Sequence, residues 1–299
     1  MQAWLWGPCL LAALSTVAGE ACESRATSLL THQASLNTKV EVLEEKLAGK
    51  GEMDFSERQR AVMCYMKQQF ASSFQDTVPP AAMGPNKTCA VVSNSGALLH
   101  FNYGQEINAH DVVMRFNQAE VAGYEKYVGN RTDVRTGWSL GKFEGEATAW
   151  NTNLIKWQPS DIAVRVLNRL YPNKLGVYHA TVDTPTTGFV GMLVALSYCA
   201  VVDTYQMTPS KDASRSMYHY YNRMPLPANE NAYHSFFKAE HDLWARLSQT
   251  PLSEVHNTGK TRTKGFSTIE CQDSPPPVEW EPLKKTARQA HWWSLAGID

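Results

Sequence analysis

The chain has 299 residues, 43% of them apolar or aromatic, which is enough for one sizeable core or for one domain with an extension. Its formal net charge of −1 argues against a general nucleic-acid binder, which carries a basic face. A nucleotide site stays open, because turn amides and helix N-termini hold phosphate without many basic side chains.

Residues 1–19 carry no charged side chain. Ala3 to Ala18 is largely apolar but is broken by Gly7-Pro8 and Ser15-Thr16, and Val17-Ala18-Gly19 offers small residues for cleavage. The segment reads as a signal peptide or a short membrane anchor. Leu29, Leu36 and Leu43 then recur at seven residues, with Val40 and Leu47 four after the last two. This pattern predicts a helical stem over 20–60, either a short coiled coil that joins two chains as a homodimer or a solvated spacer. Gly49-Lys50-Gly51 ends the helix. Residues 75–88, with Pro79-Pro80 and Gly84-Pro85, form a loop into the first core strand.

Ala90-Val91-Val92, Val112-Val113-Met114, Ala163-Val164-Arg165-Val166 and Val201-Val202 read as strands, and Gly188 to Cys199 as a buried helix. Alternation of this kind predicts an α/β domain, a mainly parallel sheet flanked by helices on both faces. Cys89 to Arg135 is the most informative stretch. An apolar run enters the tight turn Ser93-Asn94-Ser95-Gly96, and an amphipathic segment follows, the pattern of a phosphate-binding turn that opens a helix. A second apolar run ends in Arg115-Phe116-Asn117. Two strand ends that each present an Asn suit a nucleotide at the carboxyl edge of a parallel sheet. Residues 272–299 read as an irregular tail whose Trp280, Trp292 and Trp293 pack back on the domain. Asn86-Lys87-Thr88 and Asn130-Arg131-Thr132 are N-glycosylation sequons. Six cysteines fit an oxidising compartment.

The stretch Cys89 to Arg135 closely resembles the large sialyl motif of the animal-type sialyltransferases, glycosyltransferase family 29. Three further blocks follow in the family's order. Pro185-Thr186-Thr187-Gly188, running on through Cys199 to Tyr205, resembles the small motif. Tyr218-His219-Tyr220-Tyr221 resembles the third motif and Ala232-Tyr233-His234 the very small motif. The resemblance covers Cys64 to Cys271 and is greatest to the β-galactoside α2,6 branch, although His219-Tyr220-Tyr221 is closer to the α2,3 branch. It implies one catalytic domain over 61–271 with a Rossmann-like, GT-A-like variant of the α/β fold. It also implies the disulfides Cys89–Cys199 and Cys64–Cys271, and a place in the Golgi lumen, anchored or secreted.

The activity the resemblance implies is transfer of sialic acid from a CMP-sialic acid donor to a terminal galactose-type hydroxyl of a glycan acceptor, on glycoprotein, glycolipid or oligosaccharide, with inversion. A single displacement needs a base for the acceptor proton and stabilisation of the leaving phosphate. By resemblance His234 is the base, His219 and Tyr220 contact the phosphate, and Tyr233 lies on the acceptor side. Asn94, Ser95 and Asn117 would hold the nucleotide, and Thr187 and Gly188 the sialic acid carboxylate and ribose. The family places a Glu five residues after the catalytic His; here that position is Ala239, and Glu240 follows. No Asp-x-Asp triplet and no clustered Cys/His pattern occurs, so no metal and no cofactor is expected, and CMP-sialic acid is a substrate. Two other readings stand: transfer of another CMP-linked keto sugar such as Kdo, and a catalytically silent CMP-sugar-binding protein.

Overall fold

The computed structural model describes residues 55–70, 83–137, 141–143, 149–151, 158–171, 185–226 and 236–271. The expected signal or anchor, the heptad stem, Tyr233, His234 and the tail lie outside the described residues. The chain divides into two units, Met1–Phe55 and Ser56–Asp299, and every described residue but Phe55 belongs to the second.

Six strands form one sheet: β1 (Thr88–Val92), β2 (Val112–Phe116), β3 (Val134–Gly137), β4 (Ala149–Asn151), β5 (Val201–Tyr205) and β6 (Lys260–Lys264). Their order is β4-β3-β2-β1-β5-β6. The pairings β1/β2, β1/β5, β2/β3 and β3/β4 are parallel, and only β6 runs antiparallel, on β5. The strand order reverses at β1, and crevices beside such a reversal take ligands at the carboxyl ends of the strands.

The sheet is covered on both sides, as the alternation in the sequence predicts. One face carries α1 (Phe55–Phe70), α4 (Gln158–Leu170), α5 (Thr187–Tyr198) and α6 (Phe237–Leu247). Val62, Met66, Phe70, Leu167, Leu193, Leu196, Leu243 and Trp244 pack there against Cys89, Val91, Val112 and Met114. The opposite face is thinner. It carries the short helices α2 (Gly104–Asn108) and α3 (Glu125–Val128), and Leu98, Tyr103, Ile107 and Tyr220 cover Ala90, Val92, Val113 and Tyr205. A seventh helix, α7 (Leu252–Thr258), ends at Gly259 with φ of 67° and leads into β6.

Three elements depart from the sequence reading. Ala163-Val164-Arg165-Val166 is not a strand but the middle of α4. Ala163, Val166, Leu167 and Leu170 are all buried, and their spacing of three, four and seven is one helical face; the β-branched valines mask it. The turn after β1 opens only a five-residue 3-10 segment, Gly96–His100. Strand β6 alternates Thr261 and Thr263 inward with Lys260, Arg262 and Lys264 outward, so it has no apolar run to read and uses charge to blunt a sheet edge.

Cys89 is bonded to Cys199 and Cys64 to Cys271, with Cα–Cα separations of 6.1 and 5.5 Å. The first ties β1 to the end of α5; the second ties α1 to the chain after β6. Among the described residues, no helix is long and apolar enough to cross a membrane.

Candidate functional site

The carboxyl edge of the sheet brings together Asn94, beyond β1, Asn117, beyond β2, and the N-terminus of α5. In a parallel α/β unit the helix runs back against the strands, so its N-terminus lies at their carboxyl ends. The packing of α5 fixes this placement. Gly191 lies so close to Phe116, the last residue of β2, that a Cβ there would enter its ring.

Helix α5 begins at Thr187, capped by Thr186, whose hydroxyl accepts from the Phe189 amide at 2.9 Å. Thr187 and Gly188 supply its first two amides, which have no acceptor inside the helix. With the positive end of a twelve-residue helix behind them, they suit an anion. Glu240, on α6, closes the cap from outside. It accepts from the Thr186 amide at 2.8 Å and from its hydroxyl at 2.5 Å. Burial pushes the Glu240 carboxyl up to about 7, against the two Thr186 bonds that pull it down. The acidic residue displaced by one position therefore still reaches the small-motif helix.

The first turn is a different kind of site from the one its sequence predicts. Ser95 is a cap: its hydroxyl accepts from the Ala97 amide at 3.2 Å. The Ser95 amide donates to Ser93 Oγ at 3.1 Å and the Gly96 amide to the Met217 carbonyl at 3.0 Å. These three amides are spent inside the protein and form no phosphate cradle. Gly96 is required because a Cβ would collide with the Met217 backbone. What the turn offers is Asn94. Its Nδ2 donates to the Tyr221 hydroxyl at 3.3 Å, and its Oδ1 is buried without a hydrogen-bond partner among the described residues. A buried acceptor left unpaired is costly unless a ligand or water fills it.

The third-motif segment is held directly on this strand end, since the Tyr220 amide donates to the Asn94 carbonyl at 2.9 Å. Its two central tyrosines have separate tasks. Tyr220 is buried and gives its hydroxyl to the Glu120 carbonyl at 2.5 Å, so it is committed to the fold. Tyr221, which sequence reasoning passed over, is the phenol at Asn94, and burial pushes its hydroxyl up to about 12. His219 lies between aromatic rings: it stacks on Tyr221 at 5.1 Å and is tilted on Tyr218 at 4.6 Å. Burial lowers its pKa.

Asn117 has φ of 50°, in the left-handed region that Asn tolerates better than most residues. Its amide donates to the Thr136 carbonyl at 2.9 Å, and its carbonyl accepts from Arg135 Nη1 at 3.1 Å. The same nitrogen donates to the Ala119 carbonyl at 2.8 Å. Arg135 is almost fully buried, with its guanidinium 3.9 Å from the Phe143 ring centre. Gly137 completes the clamp, because a Cβ there would run into the Asn117 side chain and backbone. Arg115 pairs in register with Arg135 and is fully buried too, donating to the Arg131 and Val128 carbonyls and to Thr132 Oγ1. Burial pushes its guanidinium down to about 10. Asn86 and Asn130, the sequon residues, are both exposed.

The profile of glycosyltransferase family 29 (sialyltransferase) matches residues 31–153 and 160–252, more than half of the chain. The chain belongs to that family. Among curated proteins it is similar to beta-galactoside alpha-2,6-sialyltransferase 2 of Takifugu rubripes, 28% identical over 232 residues, covering 63% of this chain and 43% of that one. It is also similar to human beta-galactoside alpha-2,6-sialyltransferase 1, 27% identical over 229 residues, covering 63% of this chain and 56% of that one. The chain thus spans about half the length of the curated relatives it matches. A crystal structure of a mammalian sialyltransferase is 18% identical with a TM-score of 0.35, covering 66% of this chain and 83% of that one; a score of that size carries no argument.

Proposed function

We propose that the protein transfers sialic acid from CMP-sialic acid to a terminal galactose-type hydroxyl of a glycan, with inversion at the anomeric carbon. The observation that carries this reading is the buried Oδ1 of Asn94, without a partner among the described residues, at the same carboxyl edge of the sheet as the first amides of α5, Thr187 and Gly188. It is an acceptor set against donors, the pattern that a nucleotide with amino or hydroxyl groups on one side and an anion on the other requires. Membership of family 29 and the likeness to the α2,6 relatives support the choice of donor and of acceptor class. Asn94 and Asn117 bind the nucleotide, and Thr187 and Gly188 face the carboxylate of the sugar. His219 donates to the leaving phosphate, and His234 takes the acceptor proton. Ser95 and Tyr220 act by holding this edge together. The reaction needs no metal, since a single phosphate leaves and N–H donors can meet its charge. The setting is the secretory pathway, where both disulfides persist.

The test is a transfer assay of the full chain with CMP-sialic acid and CMP-Kdo, each against terminal β-galactosides, with the product linkage determined. Sialylated product is expected. CMP binding with no transfer from either donor overturns the reading in favour of a silent binder.

A further inference from the structure

We propose that Asn222 fixes His219 as the neutral Nε2–H tautomer, which makes that ring a hydrogen-bond donor, and not a base, toward the anion held at this site. The inference rests on the reading of the site given above for what His219 faces, but not for the tautomer itself.

The geometry is local. Asn222 Nδ2 lies 3.0 Å from His219 Nδ1. Which way the amide points decides who donates. The Met224 amide settles it, donating to Asn222 Oδ1 at 3.1 Å. The NH₂ group therefore faces the imidazole, and it can only donate. Nδ1 must then hold its lone pair, and the ring proton resides on Nε2. Nε2 has no partner among the described residues.

The surroundings keep the ring neutral. Among the described residues Tyr218 and Tyr221 are the titratable groups packed against it, burial is the main cause of its lowered pKa, and no charged side chain of those residues contributes. A bond to Asn222 would raise the pKa if the ring were the donor; with the amide donating it works the other way, because a proton on Nδ1 would face an N–H. The stack on Tyr221, whose hydroxyl accepts from Asn94, sets His219 on the same wall as the nucleotide-facing Asn94. A neutral donor there strengthens as charge develops on a leaving oxygen and has no proton to lose first. Asn222 is thus a positioning residue.

The experiment is ¹⁵N-histidine NMR on the full chain, with His219 assigned through His219→Gln. The nitrogen shifts tell the two tautomers apart. Wild type should show Nε2–H alone, and Asn222→Ala should show a mixture. Asn222→Asp replaces the donor by a carboxylate and should raise the titration midpoint of His219 by about 1 pH unit. Added CMP should move the Nε2 resonance more than Nδ1. A wild-type Nδ1–H tautomer, or Asn222→Ala and Asn222→Asp both titrating and resonating like wild type, overturns the proposal. If CMP bound nowhere while the tautomer pattern held, the functional reading would fail and the role of Asn222 would stand.

Discussion

Glu240 on α6 accepts both the amide proton and the hydroxyl proton of Thr186, so a buried carboxylate 54 residues away closes the cap of α5. Helix α5 is thereby held by the segment that follows His234. Glu240→Gln keeps an acceptor for one donor and confronts the other with NH₂. It should cost about 1–2 kcal/mol, read by urea unfolding. The pH dependence has a definite sign. The unfolded carboxyl titrates near 4.5 and the folded one near 7, so the unfolded chain releases its proton first. Stability should fall as pH rises from about 4.5 to about 7, and Glu240→Gln should remove that slope.

A second titrating cluster joins β5, β6 and the start of β2. His110 Nδ1 lies 3.0 Å from the Glu106 carbonyl and Nε2 2.9 Å from Asp203, two acceptors, so the pair of contacts favours the protonated ring, in which both nitrogens donate. Arg262 grips the same carboxylate at 2.7 and 2.6 Å, and Lys260 pairs with Glu106. Burial lowers the His110 pKa, but Asp203 outweighs it and the net shift is upward. Burial raises the Asp203 pKa, but Arg262 and His110 outweigh it and the net shift is downward. The contribution of His110 is full below about 6.5 and is lost as pH rises through its folded value; that of Asp203 is present above about 3.8. Asp203→Asn should therefore cost more at pH ~5.5 than at pH ~8.5, about 2–3 kcal/mol at the lower value. Equal costs at the two values would show that His110 is neutral.

Arg135 and Asn117 make a testable pair. Arg135→Gln releases the Asn117 carbonyl from its clamp, and Gly137→Ala pushes on Asn117 directly. Both should weaken CMP binding about tenfold, or ~1.4 kcal/mol. Calorimetry with CMP, alongside melting curves, separates this from unfolding. Unchanged CMP affinity in both folded variants would remove Asn117 from the nucleotide site.

His234→Ala should lower turnover by roughly 10²–10⁴-fold, the usual worth of a general base, with CMP affinity nearly unchanged. Asn117→Ala should weaken CMP first. Transfer by His234→Ala at the wild-type rate would place the base elsewhere. Activity should also survive EDTA; loss on chelation with recovery on Mn²⁺ or Mg²⁺ would contradict a metal-free site.

Cys89→Ser should destabilise the fold by about 4–5 kcal/mol in the chain-entropy account, since the bond closes a loop of 110 residues. Non-reducing peptide mapping checks the pairing, and a peptide linking Cys89 to Cys271 would refute it.

The sequence by itself determined the central strands β1, β2 and β5, the buried helix α5 and the two strand-end asparagines. Each rests on a local apolar run or a motif whose signal does not depend on distant contacts. It determined the cysteine pairs only through family resemblance. The tertiary structure decided the rest. Ala163 to Val166 is helical because its apolar face meets the core at a helical period, a burial that β-branched composition hides. Strand β6 is a strand because β5 needs a partner at its open edge, not because Lys260 to Lys264 is apolar. Side-chain orientation separated Tyr221, at Asn94, from Tyr220, spent on the Glu120 carbonyl. Tertiary contact also gave Glu240 its place on Thr186 despite its shift of one residue, since neighbouring helical positions point about 100° apart and the packing of α6 decides which of them meets the cap. Hydrophobic period is written locally in a chain; which hydrogen-bonding atom meets which is settled only when the sheet edge and the helices over it have closed.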